Sequence, residues 1–493
     1  MTQPASRSRL SMRLNRTFRP ALLAITVSTQ SWPTILSMMG ADALGLVFSG
    51  VIAVHLGLWI DGAVLTSPSL YAPLLPLLGL CIFAYATAGL YPGVAVSPVD
   101  ELRLISTATT LIYLVLGSAL FLFQGEGTYS RTVFLLAWVL SLVLVHICRA
   151  LVRSLVAERR WWGYPVIIMG AGKTGDMVIR TLQRRPRIGL KPVFVLDDDP
   201  KKKGYLHGVP VAGKLDMAPR LARVHRIPYA IVAMPGVPRP RLLDMLTRYG
   251  QTFAHLLVIP DLFGFASLWI EAKDLGGILG LEVRQQLLLP GPRLAKFVID
   301  LMLTLVGGLL LVPLLAAIAI AIRLDSSGPI FYGHTRIGQQ GRRFRAWKFR
   351  TMVPNADQVL HQYLDAHPDL KDDWEQNQKL RNDPRITRVG WFLRRTSLDE
   401  LPQLWNILRG EMSLVGPRPI VDEELWRYGD EISLYSRVPP GITGMWQVSG
   451  RNNITYEERV SLDAYYVRNW SVWVDIYILL RTVWVVLRGE GAY

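Results

Sequence analysis

Five apolar runs dominate this chain, and each reaches the roughly 20 residues that a helix needs to cross the hydrocarbon core of a bilayer. Four lie in the first third, at Ile35–Ile60, Leu70–Tyr91, Leu102–Phe123 and Thr132–Leu151. Apolar residues make up 51% of the chain and charged residues 19%, against about 25% charged in a soluble domain. A membrane protein is therefore expected, with a bundle of four transmembrane helices over 35–152. Arg7, Arg9, Arg13, Arg16 and Arg19 precede the first run, with no acid among them. Arg149, Arg153, Arg159 and Arg160 close the fourth, while the loop Asp61–Tyr71 has no Lys or Arg. The positive-inside rule then reads residues 1–34 as a basic cytoplasmic tail and puts everything after the fourth span on the same side. The short apolar piece Ala21–Val27 has no convincing cleavage site, so no signal peptide is expected.

The formal charge of +16 raises the question of nucleic acid. Arginines clustered beside apolar runs instead suit an anionic lipid surface and phosphate-bearing substrates. Cys81 and Cys148 both lie inside apolar stretches, which leaves neither a disulfide framework nor a Cys/His zinc set.

Residues 161–292 read as a soluble Rossmann-like α/β domain. Pro165–Met169 is a short buried-strand pattern, followed by Gly170-x-Gly172-x-x-Gly175 and a helical stretch. Val193–Leu196 is the next strand, and Asp197 closes it near the place of a ribose-binding acid. Further strands are expected at Tyr229–Met234 and His255–Ile259. The loop either holds a nicotinamide or other nucleotide or serves only to pack a strand against a helix. Gly172-Lys-Thr174 is not a Walker A ending, because position 167 is Ile where that motif needs Gly.

The fifth run, residues 297–322, is basic on both sides, with Arg293 and Lys296 before it and Arg323, Arg336, Arg342, Arg343, Arg345, Lys348 and Arg350 after. Symmetric flanks fit poorly with a full crossing, and Pro313 favours a bend. A re-entrant helix that turns near Pro313 and returns to the same face satisfies both facts; a kinked spanning helix is the alternative.

The densest chemistry lies between Asn382 and Pro419. Ser397 is placed to cap a helix starting at Leu398, with Asp399 and Glu400 in its first turn, ionised at the positive end of the helix dipole. Carboxylates beside Arg394 and Arg395 suit phosphate chemistry, one attacking phosphorus while another binds Mg²⁺. Arg418, between Pro417 and Pro419, presents its guanidinium on a stiff turn. Lys348 and Arg350 are candidates for substrate phosphates, and Trp446, Gln447 and Arg451 for the nucleotide or sugar. His334, His361 and His367 are scattered and read as surface residues; Trp470, Trp473 and Trp484 read as interface anchors or packing.

Lys348-Phe-Arg-Thr-Met352, Thr396–Gln403, Met412–Pro419 and Pro440–Arg451, in that order, together resemble the bacterial sugar transferases, or monotopic phosphoglycosyl transferases. The likeness is dense over 296–493, and the preceding spans and Rossmann-like segment resemble the long form. The resemblance implies an α/β catalytic domain anchored by a re-entrant helix in a bacterial inner membrane, facing the cytoplasm. It implies transfer of a hexose-1-phosphate from a UDP-hexose to undecaprenyl phosphate, with release of UMP, as the initiating step of exopolysaccharide, capsule or O-antigen synthesis. Asp399 would be the nucleophile, Glu400 a Mg²⁺ ligand and Arg418 a phosphate clamp. Galactose is the expected sugar and glucose the alternative; a homodimer is compatible. A membrane-bound nucleotide-sugar oxidoreductase or dehydratase is the rival reading, but its usual Tyr-x-x-x-Lys pair occurs nowhere in the chain.

Overall fold

The computed structural model describes residues 32–61, 76–123, 130–260, 270–274, 279–283, 286–367, 383–450 and 454–488. The chain divides into two compact units, residues 1–264 and 265–493.

In the first unit α1 (Trp32–Asp61), α2 (Pro76–Thr87), α3 (Pro98–Phe123) and α4 (Arg131–Val156) form the apolar bundle. Three of them, α1, α3 and α4, are long and apolar enough to cross a membrane. The start of the expected second span lies outside the described residues, and its described part is the shorter α2. The stripe Ala41, Gly45, Ser49, Ala53 and Gly57 is buried along α1, and it lets α4 approach closely. A Cβ on Gly45 would sit 2.7 Å from the Val145 Cα, and one on Gly57 would sit 2.3 Å from a Val133 methyl. Small residues at every fourth position serve this purpose where lipid tails supply no hydrophobic drive. Leu36, Leu44, Phe48, Leu114 and Val143 point outward and are exposed.

Polar groups turn inward instead. Arg149 of α4 is 2% exposed and donates to both Asp42 oxygens at 2.6 and 2.7 Å and to Glu101 Oε1 at 2.8 Å. Arg153 forks onto Glu101 at 2.6 and 2.8 Å, and the Tyr91 hydroxyl donates to Asp42 at 2.5 Å. Three elements of the bundle thus share one buried ion network.

The Rossmann-like part follows: β1 (Tyr164–Met169), α5 (Lys173–Arg184), β2 (Leu190–Leu196), β3 (Gly204–Leu206), β4 (Val209–Gly213), α6 (Ala218–His225), β5 (Tyr229–Val232), α7 (Arg239–Gly250) and β6 (His255–Val258). The sheet order is β3-β4-β2-β1-β5-β6, parallel except for the β3–β4 pair. This is the doubly wound topology expected from sequence, with the Gly170 loop at the point where strand order reverses. Ile167, Met169, Phe194 and Val232 fill one face and Ile168, Val178, Ile179 and Val195 the other.

The second unit opens with the hairpin β7 (Ile270–Asp274) and β8 (Leu279–Val283). Helix α8 (Pro290–Asp325) is 36 residues long, with Pro313 inside it, a contour of about 54 Å at 1.5 Å per residue. It too is long and apolar enough to cross a membrane. Its buried residues sit at its two ends, Lys296, Asp300 and Thr304 at one and Ile318 and Ile322 at the other. Between them Leu305, Val306, Leu309, Leu310 and Val312 are at least half exposed. Both ends pack on the same unit. Asp300 accepts from Ser413 at 2.6 Å and Lys296 donates to Asp475 at 2.7 Å, while Ile318 and Ile322 join Phe349 and Leu393.

After α8 come the antiparallel pair β9 (Phe331–Ile337) and β10 (Arg343–Phe349), α9 (Ala356–Ala366), α10 (Arg388–Thr396), a 3₁₀ turn (Leu398–Gln403) and α11 (Leu404–Leu408). A short parallel pair, β11 (Ser413–Val415) and β12 (Gly441–Thr443), joins them. Trp470 is 2% exposed and donates to Asp475 at 2.9 Å, so it is a packing residue. Trp484 is exposed.

Candidate active site

Fully buried Asn406 ties α11 to β10. Its Nδ2 donates to the Arg345 carbonyl at 2.8 Å and its Oδ1 accepts from the Trp347 amide at 3.1 Å. That clamp sets the 3₁₀ turn against the end of β10, where Lys348 Nζ donates to Glu400 Oε1 at 2.6 Å and lies 3.8 Å from Asp399 Oδ2. Lys348 and the two carboxylates, separated by some fifty residues of chain, are thereby brought together.

The turn is not built as the sequence suggests. Ser397 stands in the left-handed region at φ 56° and ends α10; it makes no side-chain cap bond to the turn that follows, and that turn is 3₁₀ rather than α-helical. A short turn carries little dipole, and burial dominates at Asp399. The residue is 8% exposed, and burial pushes its carboxyl up to about 6, with Lys348 and Arg394 pulling down and Glu400 pushing up. It remains mainly ionised at neutral pH.

Arg394 lies near Asp399 and donates from Nε to Thr351 Oγ1 at 2.9 Å. Its guanidinium is held below the ordinary arginine range, chiefly by burial. Arg395 projects elsewhere, its guanidinium 5.1 Å over the exposed Trp391 ring. Arg350 is turned toward the end of α8, donating to the Ser326 and Ser327 carbonyls at 2.7 and 2.9 Å and to Ser326 Oγ at 2.9 Å. Among the described residues, the Arg418 guanidinium makes no hydrogen bond or ion pair; it lies 5.5 Å over the Trp446 ring. Arg459 covers Trp446 at 4.9 Å. Gln447 donates to the Ile442 carbonyl at 3.1 Å, and Arg451 lies outside the described residues.

Arg336 belongs to this cluster although nothing in its sequence sets it apart from the other basic residues after the fifth run. The Ile337 amide bonds the Ile420 carbonyl at 2.9 Å, drawing β9 alongside the Pro417-Arg418-Pro419 turn. Arg336 Nη1 then meets the Pro419 carbonyl at 3.4 Å. Burial and the nearby Arg418 charge hold its guanidinium below the usual range, with Glu424 and Glu400 opposing. Two arginine charges near enough to act on one another can together clamp phosphate oxygens. Arg336→Gln is expected to cut kcat/KM for nucleotide-sugar turnover by roughly 10–100-fold, as measured by steady-state kinetics; unchanged kinetics would remove Arg336 from the site.

Behind the Pro417–Pro419 turn, buried Asp463 accepts from the Tyr428 hydroxyl at 2.9 Å, and burial pushes its carboxyl up to about 7. An unfolded aspartate titrates near 4, so between about pH 4 and 7 the folded chain holds a proton that the unfolded chain has released. Stability therefore falls as pH rises through that window. Tm of the wild type relative to Asp463→Asn should drop between pH 5 and 8; a constant difference would contradict a buried, high-pKa carboxyl.

Asp399 and Glu400, adjacent on one turn, offer hard oxygen donors that suit Mg²⁺, an ion that commonly takes one or two carboxylates and completes its shell with substrate phosphates and water. Among the described residues, no three His, Cys, Asp or Glu side chains gather as a closed metal cage. In the Rossmann-like part, Gly170 has φ +110°, and a Cβ on Gly175 would meet the Gly170 carbonyl at 2.0 Å, so both serve the strand-to-helix turn. A Cβ on Gly172 would find only Lys202 Nζ, at 4.0 Å. Asp197 is turned into the same loop, its Oδ2 accepting from the Ala171 amide at 2.7 Å and Lys202 at 3.0 Å, and its Oδ1 from the Asp199 amide at 2.9 Å.

Residues 86–260 match the family described as CoA-binding domain, and residues 291–489 match the family described as bacterial sugar transferase. The UDP-galactose-lipid carrier transferase of Erwinia amylovora is 40% identical over 373 residues, covering 74% of this chain and 76% of that protein. The undecaprenyl-phosphate galactose phosphotransferase of Salmonella typhimurium is 36% identical over 391 residues, 78% of this chain and 81% of that one. The UDP-glucose:undecaprenyl-phosphate glucose-1-phosphate transferase of Escherichia coli is 31% identical over 464 residues, 90% and 95% of the two chains. With its carboxylate pair and neighbouring arginines inside the matched segment, and with relatives matching along most of their length, this chain belongs to the bacterial sugar transferase family.

Proposed function

We propose that the protein transfers galactose-1-phosphate from UDP-galactose to undecaprenyl phosphate, releasing UMP, at the cytoplasmic face of a bacterial inner membrane. The observation that carries this is the placing of buried Asp399 beside Lys348, Glu400 and Arg394, in the unit that also holds the neighbouring arginines Arg336 and Arg418. An Asp399 oxygen attacks the phosphorus that bears the sugar; a P–O bond forms and the bond to the UMP phosphate breaks, leaving a sugar-phosphoryl aspartate. A phosphate oxygen of undecaprenyl phosphate then attacks the same phosphorus, and Asp399 leaves as carboxylate. Lys348 and Arg394 keep Asp399 ionised, while Arg336 and Arg418 steady the phosphate oxygens as charge moves between them. Mg²⁺, held by Glu400 with Asp399, would supply further neutralisation of the diphosphate.

Galactose is preferred over glucose because the relatives at 40% and 36% identity are named for galactose and the one at 31% for glucose. The two ends of α8 pack on one unit with an uncovered apolar middle, which supports a re-entrant insertion that returns at Pro313 to the side it entered. A lipid phosphate and a soluble nucleotide sugar then meet at the interface. The test is UMP release by the detergent-purified protein with Mg²⁺ and undecaprenyl phosphate, run in parallel with UDP-galactose and UDP-glucose. Faster release from UDP-galactose supports the reading, faster release from UDP-glucose replaces the sugar, and none from either would sink it.

A further inference from the structure

An open cleft of about 140 Å³ lies where the first turns of α8 meet the globular part of the second unit. Its walls are largely apolar, with Phe297 and Leu301 from α8 facing Ile407, Met412 and Val438. Two exposed arginines, Arg293 and Arg437, also line it. Neither guanidinium makes an ion pair or hydrogen bond with another described residue. The other charged groups on the wall are already engaged. Lys296 is bonded to Asp475 at 2.7 Å, and Asp300 is turned to Ser413 at 2.6 Å and to Lys296 at 3.5 Å. The cleft therefore carries two uncompensated positive charges over an apolar lining.

Its level along α8 is informative. Leu294, Phe297, Val298 and Met302 are roughly half exposed or more, so the uncovered apolar flank of the helix begins beside the cleft. A soluble phosphate compound would leave the apolar wall wet, and a zwitterionic headgroup would bring a second cation to the arginines. An amphiphile with one net negative phosphate and acyl chains matches both surfaces. Lys348, Arg394, Asp399, Glu400 and Arg418 do not line the cleft, so its occupant does not meet the candidate nucleophile.

We propose that Arg293 and Arg437 bind the headgroup of an anionic phospholipid as a resident, non-reacting ligand at the start of α8. The inference does not depend on the transferase reading, and its test involves no turnover. Full-length protein, delipidated in detergent, is titrated with phosphatidylglycerol and separately with phosphatidylcholine, and bound lipid is counted by native mass spectrometry. One tightly retained phosphatidylglycerol per chain is expected, and no retained phosphatidylcholine. The Arg293→Gln/Arg437→Gln protein should bind it about 30-fold more weakly, at roughly a factor of five per lost charge near a lipid surface. The Arg293→Lys/Arg437→Lys protein should keep most of the affinity, which separates loss of charge from misfolding. Millimolar inorganic phosphate should not displace the lipid. Equal retention of both lipids, or affinity unchanged in the Gln variant, would overturn the site. Displacement by free phosphate would make it an anion site without lipid specificity, and displacement by stoichiometric undecaprenyl phosphate would make it the acceptor's site; either outcome overturns the assignment.

Discussion

Asp399→Asn should lower lipid-dependent UMP release by about 10⁴-fold or more, because the variant lacks the carboxylate proposed to attack phosphorus. The fold should not suffer. Burial raises the Asp399 carboxyl to about 6, so its ionised form is less favourable in the folded chain than in the unfolded one above about pH 4. A neutral isostere removes that penalty, and the variant's Tm at pH 7.5 should be no lower than that of the wild type. The decisive measurement pairs UMP release with intact mass after an acid quench. The wild type incubated with UDP-sugar and no acceptor should carry a sugar-phosphate adduct, and the variant none. Turnover above a tenth of wild type in the variant would rule out Asp399 as nucleophile.

Arg149→Met should be the most damaging single change in the membrane bundle. It strands the Asp42 carboxylate, 0% exposed and left with only the Tyr91 hydroxyl, while Glu101 keeps Arg153, and breaking a buried pair from one side costs about 3–5 kcal/mol. The expected result is a much lower yield of monodisperse protein in detergent and a Tm depressed by many degrees. Neutralising Asp42 as well, in Asp42→Asn/Arg149→Met, should recover much of the loss, because the penalty is uncompensated charge rather than a missing contact. A single variant as stable as the wild type would show that water reaches Asp42.

The same pair of residues marks the limits of what a linear reading can supply. Arg149 and Arg153 read from sequence as part of a basic flank that sets topology, and nothing in the linear order ties them to Asp42. Only the α1–α4 approach, permitted by the stripe from Ala41 to Gly57, brings Arg149 onto Asp42. Arg350 is a similar case. It sits in a motif two residues on from Lys348, but β10 ends at Phe349, so strand alternation no longer sets its direction, and its guanidinium reaches the end of α8 while Lys348 reaches Glu400. The cap assigned to Ser397 rests on residue type alone, and the left-handed backbone there removes it.

What the sequence by itself determined is what short-range chemistry decides. Apolar length set the long membrane helices, strand and glycine patterning set the doubly wound domain, and the local order of acidic and basic motifs singled out Asp399 and Glu400 as candidates. What only the tertiary structure decided is which distant charges share a site. The Ile337–Ile420 bridge puts Arg336 beside Arg418, and the Asn406 clamp puts Lys348 on Glu400. Burial then moves Asp399 against its local dipole. Each of these depends on through-space distance and on the water excluded by packing, which are properties of the folded chain that neighbouring letters do not encode.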